Sequence, residues 1–369
     1  MSMLWYELGN ADTLDTPALV IYLDRVKQNI QTLIQSIDDV SRLRPHIKTH
    51  KSPEVTQLLL ASGVKKFKCA TIAEGEMLAM AEAPDVILAY QPVGPKAKRL
   101  AELIKKYPST KFSCLIDNSE TAEALSEVFE AEKMLANVYI DLNVGMNRTG
   151  IEPENAFELF QSCKKLSGLK IVGLHAYDGH LRDADLEVRK KRCDEAFVRV
   201  EALHEKIKSI ENQDLIIVAG GSPTYSIHSK RKSIECSPGT FVYWDSGYEK
   251  ILREQDFVPA ALVVARVVSK PKADIICVDL GHKAIASENS LPDRVSFLNG
   301  KNLKPIGHSE EHMVLQVEDG TQYNVGDLLY GVPYHVCPTV ALHDRPAVAE
   351  NNMIVKYWET LSRNRRITI

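Results

Sequence analysis

Long apolar runs are missing from this chain of 369 residues: none approaches the roughly 20 residues that a membrane-crossing helix needs. A charge excess is missing too. With 45 Lys+Arg against 49 Asp+Glu, the formal net charge of -4 gives no electrostatic case for nucleic acid or an anionic membrane as partner. The seven cysteines form no CxxC pair and leave an odd total, which argues against a disulfide framework and for a reducing compartment. The opening MSMLWYELGNADTLDTP lacks a basic start followed by an apolar stretch, so it does not read as a secretion signal. No GxGxxG follows the first strand-like run, which removes support for a dinucleotide site. A cytoplasmic globular protein is the expectation, with an ordinary 44% hydrophobic and 25% charged residues.

What the chain does have, from about residue 16 to 245, is rhythm. Short β-branched runs alternate with longer amphipathic stretches. ALVIYL (18–23) leads into a segment whose Val26, Ile30, Leu33, Ile34 and Ile37 share one helical face. RPHIKTH, KFKCAT, VILAYQ, KFSCLID, NVYIDLN, KIVGLHAY and LIIVAGG repeat the pattern, each followed by a helical stretch. Strands alternating with helices imply parallel βαβ units with right-handed crossovers. About eight units fit a TIM-type (β/α)8 barrel of roughly 250 residues better than a doubly wound sheet. The barrel is expected over residues 14–250, with ALVIYL as its first strand. After about 250 the runs are strand-like and separated by turns such as NGKN and EDGT, so residues 251–369, joined by 1–13, are expected to form a β-rich C-terminal domain.

Barrel active sites lie at the C-terminal strand ends. Lys48, in RPHIKTHKS, ends the second expected strand. A lysine turned into a barrel mouth is costly as a buried cation, and its escapes are an ion pair, a depressed pKa or a covalent bond. A rim lysine in solvent is the competing reading, and Lys51 the competing lysine. Gly220, Gly221, Ser222 and Thr224 follow LIIVAGG, where backbone N–H groups can close around a phosphate; Gly239 and Thr240 can extend that cradle. A plain capped turn is the alternative. Arg148, in DLNVGMNRTG, can pair with a phenolate or carboxylate. His175, Tyr177 and His180 cluster in GLHAYDGHL. In PYHVCPT, His335 and Cys337 are two apart in what reads as an extended segment, and imidazole with thiolate is a partial set for zinc.

Taken in order, RPHIKTHK, DLNVGMNRTG, HAYDGH, GGSPT, SPGTFVYWD and PYHVCPT resemble the D-threonine aldolase and D-serine dehydratase family of alanine-racemase-like, fold-type III enzymes, over nearly the whole chain. The resemblance implies pyridoxal 5′-phosphate held covalently by Lys48. It puts the phosphate on Gly220, Gly221 and Ser222, with Gly239 and Thr240 nearby. It places Arg148 at the phenolic oxygen, Tyr177 at the pyridine nitrogen, His175 against the ring, and a divalent metal on His335 and Cys337. It also implies a homodimer. Dehydratases of this kind typically carry His-x-Cys and many aldolases His-x-Asp, so His335-Val336-Cys337 tilts the expectation to zinc and to D-serine dehydratase-like loss of water and ammonia from a small D-3-hydroxy amino acid. Retro-aldol cleavage, with His180 as base for the β-hydroxyl, is the alternative. An amino-acid racemase using Tyr323, Tyr330 or Tyr334 as second base is another, and a non-catalytic cofactor carrier is the remote one.

Overall fold

The computed structural model describes residues 3–300 and 302–369. Residues 1, 2 and 301, all within the expected C-terminal domain, lie outside the described residues. The chain divides into two compact units. One holds the chain up to Thr32, Thr49–Ser52 and Thr240–Arg363; the other holds Leu33–Lys48, Pro53–Gly239 and Asn364–Ile369.

The first expected strand is real but belongs elsewhere. β1 (Ala18–Tyr22) pairs neither forward nor back with the βα rhythm. The parallel sheet is built from β2 (Lys66–Cys69), β3 (Asp85–Leu88), β4 (Lys111–Ile116), β5 (Ala136–Leu142), β6 (Leu169–Ala176), β7 (Ile216–Ala219) and β8 (Ile234–Cys236), ordered as in the sequence. It is an open, curled sheet of seven strands, which corrects the expected closed eight-stranded barrel. The segment RPHIK, expected as a full strand, and the Leu43 that precedes it make only isolated parallel bridges: Leu43 to Cys236 and His46 to Lys68. Pro45 has no N–H to donate between them, and the backbone turns into a 3-10 helix at Ile47–Thr49.

Charge holds that segment in place. The Arg44 guanidinium, fully buried, bonds Glu235 of β8 at 2.7 Å and Asp85 of β3 at 2.5 Å, and Lys66 of β2 reaches the same Glu235 at 2.5 Å. A buried ion cluster of this kind adds little net stability but fixes register, because any slip strands a charge in the interior.

The other unit is a mixed sheet of nine strands. Its further strands are β9 (Ala261–Lys272), β10 (Ile275–Val278), β11 (Val295–Phe297), β12 (Lys304–His308), β13 (Met313–Gln316), β14 (Leu328–Pro333), β15 (Ala347–Glu350) and β16 (Met353–Tyr357). The path runs β12-β13-β10-β9-β1-β15-β16, with β14 also on β9 and β11 on β14. β1 lies antiparallel to β9 and parallel to β15, so ALVIY is a central strand, buried on both faces, which explains its unbroken apolar run. Val20, Tyr22, Val264, Tyr330 and Val332 share one core cluster with Tyr6 and Leu8. Tyr330, one of the racemase-base candidates, is thereby a core residue. No helix among the described residues is long and apolar enough to cross a membrane.

Candidate functional site

The C-terminal ends of β2 to β6 surround a cavity of about 680 Å³. Lys48, Lys68, Asp141, Arg148, His175 and Tyr177 are in its wall, so one cavity gathers four of the residues singled out above. Lys48 is half-buried in the 3-10 turn, whereas Lys51 is held by a left-handed backbone (φ 52°) in the other unit. Arg148 reaches over the Tyr177 ring, 5.2 Å from its centroid, from the loop after β5.

The floor of the cavity is a buried relay. Asp141 Oδ1 takes the Nδ1 proton of His175 at 2.7 Å, and its other oxygen accepts from Thr149 at 2.8 Å and Gln91 at 3.0 Å. A carboxylate only accepts, so His175 carries its hydrogen on Nδ1 and presents a lone pair on Nε2. Lys68 Nζ lies 3.5 Å from that Nε2 and also donates to Ser237 Oγ. Burial lowers the His175 pKa, with the Asp141 bond working against it, so the ring is a neutral imidazole. Lys68 was not anticipated from the sequence. Its signal was there: Lys66 and Lys68 alternate with buried Phe67 and Cys69, so both lysines share the strand face that the helices do not cover. Arg365, from the returning segment 364–369, also lines the cavity.

The glycine turn closes behind Tyr177. A Cβ on Gly221 would come within 2.6 Å of the Tyr177 ring, and one on Gly220 within 2.9 Å of the His228 side chain. Gly220 also has φ +77°, a conformation that glycine adopts without strain. Ser222 Oγ accepts from Gly239 N–H at 3.3 Å, which joins the two expected halves of the cradle; Thr240 falls in the other unit. The helix after the turn is one turn long (Tyr225–His228), so its dipole adds little and loop N–H groups are the donors that matter. Absent side chains, a positive φ and a facing aromatic ring suit a phosphate-bearing ring; with Lys48 and Arg148 in the cavity wall, the residues fit pyridoxal phosphate.

Beneath the turn sits a second network. Asp178 Oδ1 accepts from Thr224 Oγ1 at 2.6 Å, and Oδ2 lies 2.8 Å from His228 Nε2. Cys193 Sγ is 3.2 Å from the same nitrogen. Ligand atoms of Asp178, Cys193 and His228 lie within 4.8 Å of one another, which makes them a candidate triad for a divalent ion. His180 stands apart from the cavity wall: its ring packs on Gly145, its Nδ1 is buried without a partner, and burial lowers its pKa.

In the other unit, the expected extended segment at 335–337 is instead a helix start. β14 ends at Pro333, His335 is the N-cap of helix Val336–Leu342, and Cys337 lies in its first turn. The two side chains still meet, through a hydrogen bond. Glu288 holds His335 Nδ1, and Thr49 Oγ1 lies 3.1 Å from Cys337 Sγ. Burial works to lower the His335 pKa, but Cys337, Glu288 and Asp245 outweigh it and raise it to about 9. An imidazole with one nitrogen fixed by a carboxylate and the ring beside a thiol is a donor set suited to zinc.

The chain resembles known proteins over nearly its whole length. Residues 21–247 match the model of the alanine racemase N-terminal domain, and residues 260–349 match that of a serine dehydratase domain. A D-threonine aldolase from Arthrobacter sp is 28% identical, the alignment covering 95% of this chain and 93% of that protein. The crystal structure of D-threonine aldolase from Filomicrobium marinum superposes with a TM-score of 0.88 at 26% identity, covering 97% of both chains. A D-serine dehydratase from Dictyostelium discoideum is 21% identical over 94% of this chain and 98% of that protein.

Proposed function

The chain belongs to the alanine-racemase-like, fold-type III family of pyridoxal-phosphate enzymes, in its lyase and aldolase class, and from that premise we propose that it cleaves a small D-3-hydroxy amino acid by retro-aldol chemistry. The observation that carries the reading is the cavity wall: Lys48, Arg148, His175 and Tyr177 in one cavity, with Gly221 packed behind Tyr177. The greater likeness to D-threonine aldolase than to D-serine dehydratase supports cleavage over the water elimination that the His-x-Cys pattern suggested. Cys337 is the feature that keeps dehydration as the second reading.

Pyridoxal phosphate, when bound, supplies an electron sink for the charge left at Cα as a bond there breaks. Lys48 would hold it covalently, and the Lys48 amine would be the group that exchanges a proton at Cα. Arg148 would be the partner of its phenolic oxygen and Tyr177 that of its pyridine nitrogen. His175, kept neutral by burial against the pull of Asp141, would lie against the ring without adding charge. Gly220, Gly221, Ser222 and Gly239 would hold the phosphate. His180, biased to the neutral form by burial, would be the base for the β-hydroxyl proton, reaching it from outside the wall that Lys48 and Arg148 line. His335 and Cys337 would hold a divalent ion, zinc by donor type, and such an ion would supply Lewis acidity. The active species is a homodimer.

The test is an assay of D-threonine, D-serine and D-threo-3-hydroxyaspartate with and without zinc. Glycine and acetaldehyde from D-threonine are the expected products; an oxo acid with ammonia establishes dehydration instead, and the L-enantiomer alone a racemase. Lys48→Ala removes the visible absorbance of the purified protein, and an unchanged spectrum sinks the anchor assignment.

A further inference from the structure

Lys68 is a buried lysine in the cavity wall. It is 2% exposed, and its hydrogen-bonding neighbours, Ser237 Oγ and His175 Nε2, are neutral. Among the described residues no carboxylate comes within ion-pair distance of it. The charged groups around it oppose one another. Lys48, in the 3-10 turn, and Arg44, from the segment before it, push its charge off; Asp141, at the end of β5, and Asp178, in the loop after β6, draw it on. The Tyr177 ring lies 5.4 Å away, and Arg148 faces the neighbouring His175. Burial is the largest influence, and Lys68 titrates at about 7 rather than near 10.5.

A purely structural lysine in a sheet interior is expected to be paired, as Arg44 and Lys66 are with Glu235. Lys68 is two residues beyond Lys66 on the same strand face, yet it sits in the cavity wall with Lys48. We propose that Lys68 is an electrostatic positioning residue for the cofactor: a charge in the cavity wall that disfavours the protonated form of the imine nitrogen at Lys48. The inference rests on Lys48 being the cofactor's anchor. Two cations in one low-dielectric cavity repel, so a charged Lys68 makes a neutral, proton-accepting nitrogen at position 48 easier to reach. Discharge of Lys68 lets that nitrogen hold its proton.

The experiment is a pH titration of the visible absorbance of the protein reconstituted with pyridoxal phosphate, for the wild type, Lys68→Met and Lys68→Arg. Removing the charge moves the midpoint up by about one pH unit, a tenfold change in proton affinity. Lys68→Arg, a permanent cation, leaves it at or below the wild-type value. An unmoved midpoint in a Lys68→Met protein with wild-type circular dichroism overturns the proposal, even if turnover falls. Should that variant fail to fold, the wild-type curve decides: it departs from a single-proton curve because Lys68 discharges in the same range, and a clean one-proton curve overturns the proposal. A wild type with no visible band defeats the reading of Lys48 itself, a result distinct from either.

Discussion

Two groups of histidine, cysteine and carboxylate, one in each unit, look alike as sets of metal-ligand types and differ in what holds the imidazole. At Asp178, Cys193 and His228 the ring is saturated. Arg231 Nη1 lies 2.8 Å from His228 Nδ1, and a guanidinium can only donate, so Nδ1 is the acceptor and Nε2 carries the hydrogen that Asp178 receives. A metal there has to displace that proton and share the site with the Arg231 cation. At His335 and Cys337 a carboxylate, Glu288, holds Nδ1, and with the pKa raised to about 9 the other nitrogen also carries hydrogen at neutral pH, so a metal displaces that proton while Glu288 keeps the ring oriented. His335 is also half-exposed, whereas His228 is 1% exposed. Closeness of three ligand types therefore identifies a network, and the tautomer says what the network is for. The buried one braces the glycine turn through Thr224 and through His228 packed on Gly220.

The sharpest way to break that contrast is Cys337→Ala. It should cut lyase turnover by at least about 100-fold while the visible cofactor band persists, and a chelator should do the same to the wild type. Untouched turnover under either treatment removes the metal role of the pair. Asp178→Asn tests the bracing role. It leaves buried donors short of an acceptor, worth about 1–3 kcal/mol, and should weaken pyridoxal phosphate by about 10- to 100-fold. Unphosphorylated pyridoxal should be affected far less; equal losses for both mean that the network does not act through the phosphate turn. The smallest effect is expected for Cys193→Ala: a stability cost of about 1 kcal/mol and no change in bound zinc. Loss of zinc from that variant, measured by elemental analysis, would reverse the comparison.

Much of this was legible beforehand because it is local. Seven strand segments of the βα rhythm occur where the period-2 and 3.6-period patterns place strands and helices, and DLNVGMNRTG, HAYDGH and GGSPT each fall at a strand end as such motifs should. Lys48 could be singled out because polar residues at strand ends collect at one mouth. The misreadings were of partner choice. ALVIYL has the apolar run of a strand buried on both faces, and that run does not say which sheet buries it. PYHVCPT reads as extended by composition, yet the chain turns into a helix at Val336, where Val336 N–H bonds Asp245, 91 residues earlier.

The sequence by itself determined the secondary-structure rhythm, the order of the motifs and the residue types available for chemistry, since each depends on neighbours along the chain. The tertiary structure decided that β1 serves the mixed sheet, that RPHIK bridges rather than pairs, that Lys68 is buried in the cavity wall, and which histidine nitrogen carries the hydrogen. Each of those depends on groups that meet only after folding, where burial and an opposing donor or acceptor set the charge and the tautomer.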